Sequence, residues 1–250
     1  PGMVRFTDPE SLRTLALRSD MTVQVGRIAA TGMAAAPRPL RLCYAGDIAL
    51  LSADQLDPAR QRLQVGAELI GTDSVAAASE MVSVAIAALK AAGVASISVD
   101  FTLPDLVDTL AEDTLPLDPE RRAAVRRELD TKDAGGLRDA GGEAYLPLLY
   151  ATGPFDQAID TLAKIDVDGA LGSRITGLRE IAATIGDRAR VTLDPTERHG
   201  FEYQSWFGFT LYGEGARGAL GRGGTYTIKG SDEPATGFSL SIDPLLDAFG

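Results

Sequence analysis

The spacing of apolar and polar positions changes several times along the chain, and each change predicts an element. Val4–Phe6 and Arg13–Leu17 flank Asp8-Pro9-Glu10-Ser11, whose turn-forming residues predict a hairpin. Ser19 or Asp20 is placed to cap a helix running to about Ala30 and ending near Gly32. Leu40–Ala45 and Arg62–Ile70 predict strands, the second broken by Gly66, with the polar segment SADQLDPAR between them. Thr72-Asp73-Ser74 opens a long helix, Val75–Ala92, which Gly93 stops. Its alanines, with Val82, Ile86 and Leu89, suit close packing on a sheet. In Ser96–Thr102 the apolar Ile97, Val99 and Phe101 alternate with polar residues, which predicts a strand.

From Leu103 to Gly186 the period becomes helical, in pieces such as Arg121–Leu129, Phe155–Ile165 and Ile175–Ile185. Prolines and the pairs Gly135-Gly136 and Gly141-Gly142 are expected to separate these pieces. Strands resume at Arg190–Leu193, Phe207–Tyr212, Thr225–Lys229 and Gly237–Ile242. The order predicts an α+β fold: one antiparallel sheet flanked by helices, forming a single core domain over 1–250. A helical insertion is expected within it, over 103–188.

Composition mainly excludes. The 250 residues are 45% hydrophobic, enough for a substantial core, and carry 35 acidic against 24 basic side chains for a net charge of −11. That balance argues against a nucleic-acid surface. No apolar run reaches the roughly 18–20 residues of a membrane span, and PGMVRFTDPES lacks a signal-peptide layout, so a soluble cytoplasmic protein is expected. Cys43 is the sole cysteine and His199 the sole histidine. An internal disulfide is therefore impossible, a zinc site is not expected, and no nucleophilic triad is apparent.

Two motifs invite a sharper reading than they support. Gly213-x-Gly215-x-x-Gly218 matches the dinucleotide fingerprint, but ALGRGGTYT follows where a helix is needed, so tight turns between strands are the better reading. Arg121, Arg122, Arg126 and Arg127 form a basic cluster. Asp118 at four-residue spacing from Arg122, with Glu120 and Glu128 nearby, makes a solvated helix face the expectation.

Three separated segments carry more. They are Leu15–Thr22; Tyr44-Ala45-Gly46 with Arg60–Glu68; and Leu193-Asp194-Pro195 with Gly200-Phe201-Glu202-Tyr203, Gly223–Tyr226 and Ala235–Phe238. In order and spacing they resemble the core of histidyl-tRNA synthetases, a class II aminoacyl-tRNA synthetase fold. The resemblance implies that Asp20, Thr22 and Gln64 receive the α-amino group of histidine and that Glu68 bonds the imidazole. Tyr226, and Tyr203 in the Gly-Phe-Glu-Tyr segment, complete the histidine site it implies. Independently of it, Gln64 and Glu68 are four apart in one strand and share a face.

The departures matter as much. The ATP-handling Arg and Glu of the resemblance fall at Leu50 and Ser52, the carboxy-terminal ATP arginine at Pro244, the catalytic arginine at His199 and a second tyrosine at Gln204. Neutral replacements cannot stabilise a transferring phosphoryl group. No catalytic residue, metal or cofactor is therefore expected. The 250 residues also hold no anticodon-binding domain, and aminoacylation is not expected. Phe6–Ser11, Gln64–Gly71 and Lys132-Asp133-Ala134 are similar instead to the regulatory subunits of ATP phosphoribosyltransferase. That resemblance implies a non-catalytic chain of histidine biosynthesis that joins a short-form catalytic subunit in a hetero-oligomer, activates it and mediates feedback by L-histidine. A degenerate synthetase-like enzyme and a ligand-free scaffold are the alternatives, opposed by the lost ATP residues and by the retained Asp20, Thr22, Gln64 and Glu68 respectively.

Overall fold

A computed structural model of the chain describes residues 3–51, 60–166, 168–198 and 204–249. The amino-terminal hairpin forms as β1 (Arg5–Thr7) and β2 (Thr14–Ala16), with Asp8 Oδ1 accepting the Glu10 amide in the turn at 3.2 Å. The remaining strands are β3 (Leu40–Ala49), β4 (Gln61–Ile70), β5 (Ile97–Thr102), β6 (Gly153–Pro154), β7 (Arg190–Leu193), β8 (Gln204–Gly213), β9 (Gly221–Ile228) and β10 (Glu233–Ser241). They make one sheet in the order β3-β4-β10-β9-β8-β5-β7-β6.

The sheet corrects the expectation of purely antiparallel pairing, because β5 and β7 run parallel. A parallel pair needs a crossover of a dozen or more residues, and the helical stretch between β5 and β7 supplies it. That stretch holds α3 (Leu106–Asp113), α4 (Pro119–Asp130), α5 (Ala134–Asp139), α6 (Phe155–Ile165) and α7 (Gly172–Ile185). Outside it lie α1 (Thr22–Ala30), α2 (Val75–Ala91) and α8 (Ile242–Phe249).

Alternation along the strands builds two different faces. On one, Val99, Phe101, Phe207, Phe209, Leu211 and Leu240 join helical apolar residues such as Val82, Ile86 and Leu89 in the main core. Phe101 meets Phe207 edge-on, with centroids 5.2 Å apart, and Phe207 stacks on Phe209 at 5.7 Å. Ser74 caps α2 by accepting the Ala77 amide, as its sequence position predicts. The opposite face is polar over most of its width. α1 closes one end of it through a small cluster of Ala29, Ile70, Tyr226, Ile228 and Ala235.

Several local expectations are corrected. Gly66 does not break β4; it sits within the ladder, where a Cβ would collide with the Tyr44 ring and the Phe238 carbonyl. Gly135 and Gly136 lie inside α5, because Asp133 caps it by accepting both glycine amides at 2.9 Å. Asp118 does not pair with Arg122. It caps α4 and meets Arg121 at 3.4 Å, while the less exposed Asp108 of α3 takes Arg122 at 3.1 Å and also Arg126. The glycine motif at 213–218 is a turn between β8 and β9, with φ of +87° at Gly215 and +81° at Gly218. Cys43 is free and exposed. No described helix is long and apolar enough to cross a membrane.

Candidate ligand-binding site

The site grows from the polar face at the junction of β4, β10 and β9. Glu68 on β4 is opposite Gly237 on β10, which is opposite Gly224 on β9. Glycine at 237 is required there, since a Cβ would overlap the Glu68 carboxylate itself. The carboxylate lies over this bare backbone and reaches Tyr226, whose hydroxyl donates to its Oε2 at 2.8 Å. Tyr44 on β3 donates to Oε1 at 3.3 Å and shares a hydrogen bond with the Thr22 hydroxyl at 3.1 Å.

A second group stands beside it at the start of α1. That helix begins at Thr22, so its cap position is Met21 rather than the predicted Ser19 or Asp20, and Met21 makes no side-chain cap. Asp20 accepts the Thr22 amide at 3.2 Å and the Gln64 amide nitrogen at 2.9 Å. Gln64 in turn accepts the Met21 amide at 2.9 Å. Both Gln64 and Glu68 are buried, the latter 1% exposed. Their shared strand face, legible in the sequence, therefore points inward.

The electrostatics follow from burial. Desolvation pushes the Glu68 carboxyl up to about 8; the Tyr226 hydrogen bond opposes the shift and the nearby Asp20 charge adds to it. Burial likewise raises the Tyr44 phenol, with the Glu68 charge a further cause. An unliganded cleft near neutrality thus holds a largely protonated Glu68 that can donate or accept a hydrogen bond. A base brought against it would draw the proton and form a charge-assisted pair.

Glu68, Thr22 and Tyr226 line a cleft of about 300 Å³, counting its open mouth, floored by Gly223, Gly224 and Gly237. Two further lining residues, Gln204 and Arg222, are absent from the sequence-based site. Gln204 reaches the cleft because β8 bulges between it and Gly208, which puts it opposite Tyr226. Arg222 alternates with Gly224 and Tyr226 along β9, whose first residues read as a glycine turn in the sequence. The structure thus brings together Asp20, Thr22, Gln64, Glu68 and Tyr226. Tyr203, with Ser52 and His199, lies outside the described residues. Leu50 follows β3, and Pro244 lies in α8. Among the described residues no group of three His, Cys, Asp or Glu side chains could hold a metal.

A mainly antiparallel sheet with helices on its apolar face and a glycine-floored cleft on its polar face defines a class II aminoacyl-tRNA synthetase-like core. The family model for histidyl-tRNA synthetase matches residues 2–245, and the chain belongs to that family. It is 40% identical over 250 residues to the ATP phosphoribosyltransferase regulatory subunit of Rhodospirillum centenum, covering 98% of this chain and 64% of that relative. Its fold matches a Bacillus halodurans structure described as an ATP phosphoribosyltransferase regulatory subunit/histidyl-tRNA synthetase. The TM-score is 0.85 at 26% identity, over 100% of this chain and 68% of that one. A chain of the ATP phosphoribosyl transferase (HisG:HisZ) complex from Thermotoga maritima shares the fold at 16% identity, with a TM-score of 0.68 over 97% of this chain and 89% of that one. The chain spans somewhat under two thirds of the length of the Rhodospirillum centenum relative.

Proposed function

We propose that this chain is the histidine-sensing core of an ATP phosphoribosyltransferase regulatory subunit: it performs no chemistry itself and acts on a short-form catalytic subunit in a cytoplasmic hetero-oligomer. One observation supports the reading above others. A buried carboxyl, Glu68, is held by the Tyr226 and Tyr44 hydroxyls, with the separate Asp20–Gln64 pair a short distance along β4. A ring nitrogen suits Glu68, and an ammonium group suits Asp20, Gln64 and Thr22, because a desolvated cation needs acceptors. Leu50 and Pro244, at positions where the synthetase resemblance implies ATP-binding arginines, weigh against ATP-dependent activation of the bound amino acid. The names of the similar proteins support the regulatory role and the catalytic partner.

The test is to titrate L-histidine into the purified protein by calorimetry, then mix the protein with a short-form catalytic subunit. The expected result is saturable binding, a larger species by light scattering, and a gain in turnover that histidine reverses. A catalytic subunit that neither associates nor speeds up would end the regulatory reading.

A further inference from the structure

We propose that Arg222 anchors the ligand's carboxylate, so that the cleft recognises a free α-amino acid at three points rather than an imidazole and an amine alone. The inference rests on the histidine reading above and assigns the one part of that ligand which Asp20, Thr22, Gln64, Glu68 and Tyr226 leave without a partner.

The argument begins with register. Arg222 is opposite Ser239 on β10, and Ser239 is opposite Gly66 on β4. Glu68 stands one pleat repeat along β4 from Gly66, and Gln64 stands one repeat along in the other direction. Arg222, Glu68 and Gln64 therefore occupy three corners of a triangle on one face of the sheet. Arg222 is separated from each of the other two by two strand spacings and about one two-residue repeat. That is roughly 12 Å between Cα atoms by ordinary strand geometry. Glu68 and Arg222 line the cleft between those corners, over a floor of Gly223, Gly224 and Gly237, and Gln64 stands beside it bonded to Asp20.

Charge gives the corners their chemistry. Glu68 lines the cleft and Asp20 lies just beside it, bound to Gln64. Left alone, Asp20, and Glu68 once a bound base has drawn its proton, would repel a carboxylate. Among the described lining residues Arg222 is the only cation. Gln204, another polar side chain lining the cleft, spends its amide nitrogen on the Gly223 carbonyl at 3.0 Å. Arginine also suits the task geometrically, since its planar fork matches a carboxylate with paired donors. Acidic side chains also stand at this end of the face: the charges of Glu197, Asp100 and Arg222 all act on Tyr212. Asp100 is opposite Thr210, which is opposite Arg222.

The experiment compares L-histidine with histamine, which keeps the ring and the amine but lacks the carboxylate. Both are titrated by calorimetry into wild type, Arg222→Gln and Arg222→Lys, each with a melting curve to show that it is folded. Wild type should prefer histidine over histamine by about 10- to 100-fold, as expected for one charge-assisted contact in a partly open cleft. Arg222→Gln should bind histamine as wild type does and lose most of the preference. Arg222→Lys, which keeps the charge without the fork, should fall between. A preference equal in wild type and Arg222→Gln would overturn the anchor and leave the histidine reading standing. If wild type binds neither molecule, the histidine reading fails first and the anchor with it. Should Arg222→Gln not fold, Arg222→Lys decides: a preference reduced at least about threefold supports the anchor, and an unchanged one overturns it.

Discussion

The two faces of the sheet are made by the same strands and answer to different physics. On one, Phe101, Phe207 and Phe209 are within 1% of complete burial and interlock with α2 and its neighbours. On the other, one residue along the same ladders, glycines leave a hollow and the few side chains that enter it are polar. The apolar face needs volume, because a missing methylene leaves a cavity. The polar face needs absence of volume and accurate placement of charge. A single residue step along a strand thus separates positions that set stability from positions that set recognition.

That contrast is sharpest where a core ring is removed. Phe207→Ala should lower the unfolding free energy by about 3–5 kcal/mol, read by denaturant or thermal melting. Under conditions where the variant remains folded, its histidine affinity should stay within a few-fold of wild type. Affinity lost in step with stability would show that the two faces are not separable.

Glu68 blurs the division in a defined direction. Its folded value near 8 lies above its ordinary 4.5, so between those values the unfolded chain binds fewer protons than the native one. Its contribution to stability is therefore complete below about pH 4.5, declines as pH rises toward 8, and is flat above that. Glu68→Gln cannot titrate. Relative to that variant, unliganded wild type should lose about 2–4 kcal/mol between roughly pH 5 and 8, measured by chemical denaturation. A pH-independent difference between the two proteins would contradict the buried, upshifted carboxyl.

The smallest expected effect belongs to the rim of the polar face. Asp20→Ala should weaken histidine binding at least roughly 30-fold, about 2 kcal/mol, while the protein still melts cooperatively. Equal affinity in both proteins by calorimetry would place the ligand elsewhere.

How legible these faces are in the sequence depends on what marks them. The apolar one is written in periodicity: Ile97, Val99 and Phe101 alternate, and α2 shows both its cap and its packing residues. Gln64 and Glu68 are also legible, because four residues in a strand return to one face. Arg222 and Gln204 are not. Glycine carries no strand signal, so Gly221–Gly224 reads as a turn and β9 is started too late at Thr225. Gln204 depends on the bulge before Gly208, a feature of pairing with β9 rather than of local composition. The parallel β5–β7 pair is hidden for a related reason. Local patterning gives strand direction no mark, and only the return of the chain after α7 decides it.

Gly237 has a consequence for how such a protein changes over generations. A glycine codon becomes that of alanine, serine or a larger residue through one base change, and here even the smallest of these places carbon where the Glu68 carboxylate lies. Gly237 lies on the hollow face, away from the packed aromatics that hold the sheet together. A lineage could therefore silence the cleft in one inherited step while its descendants still fold.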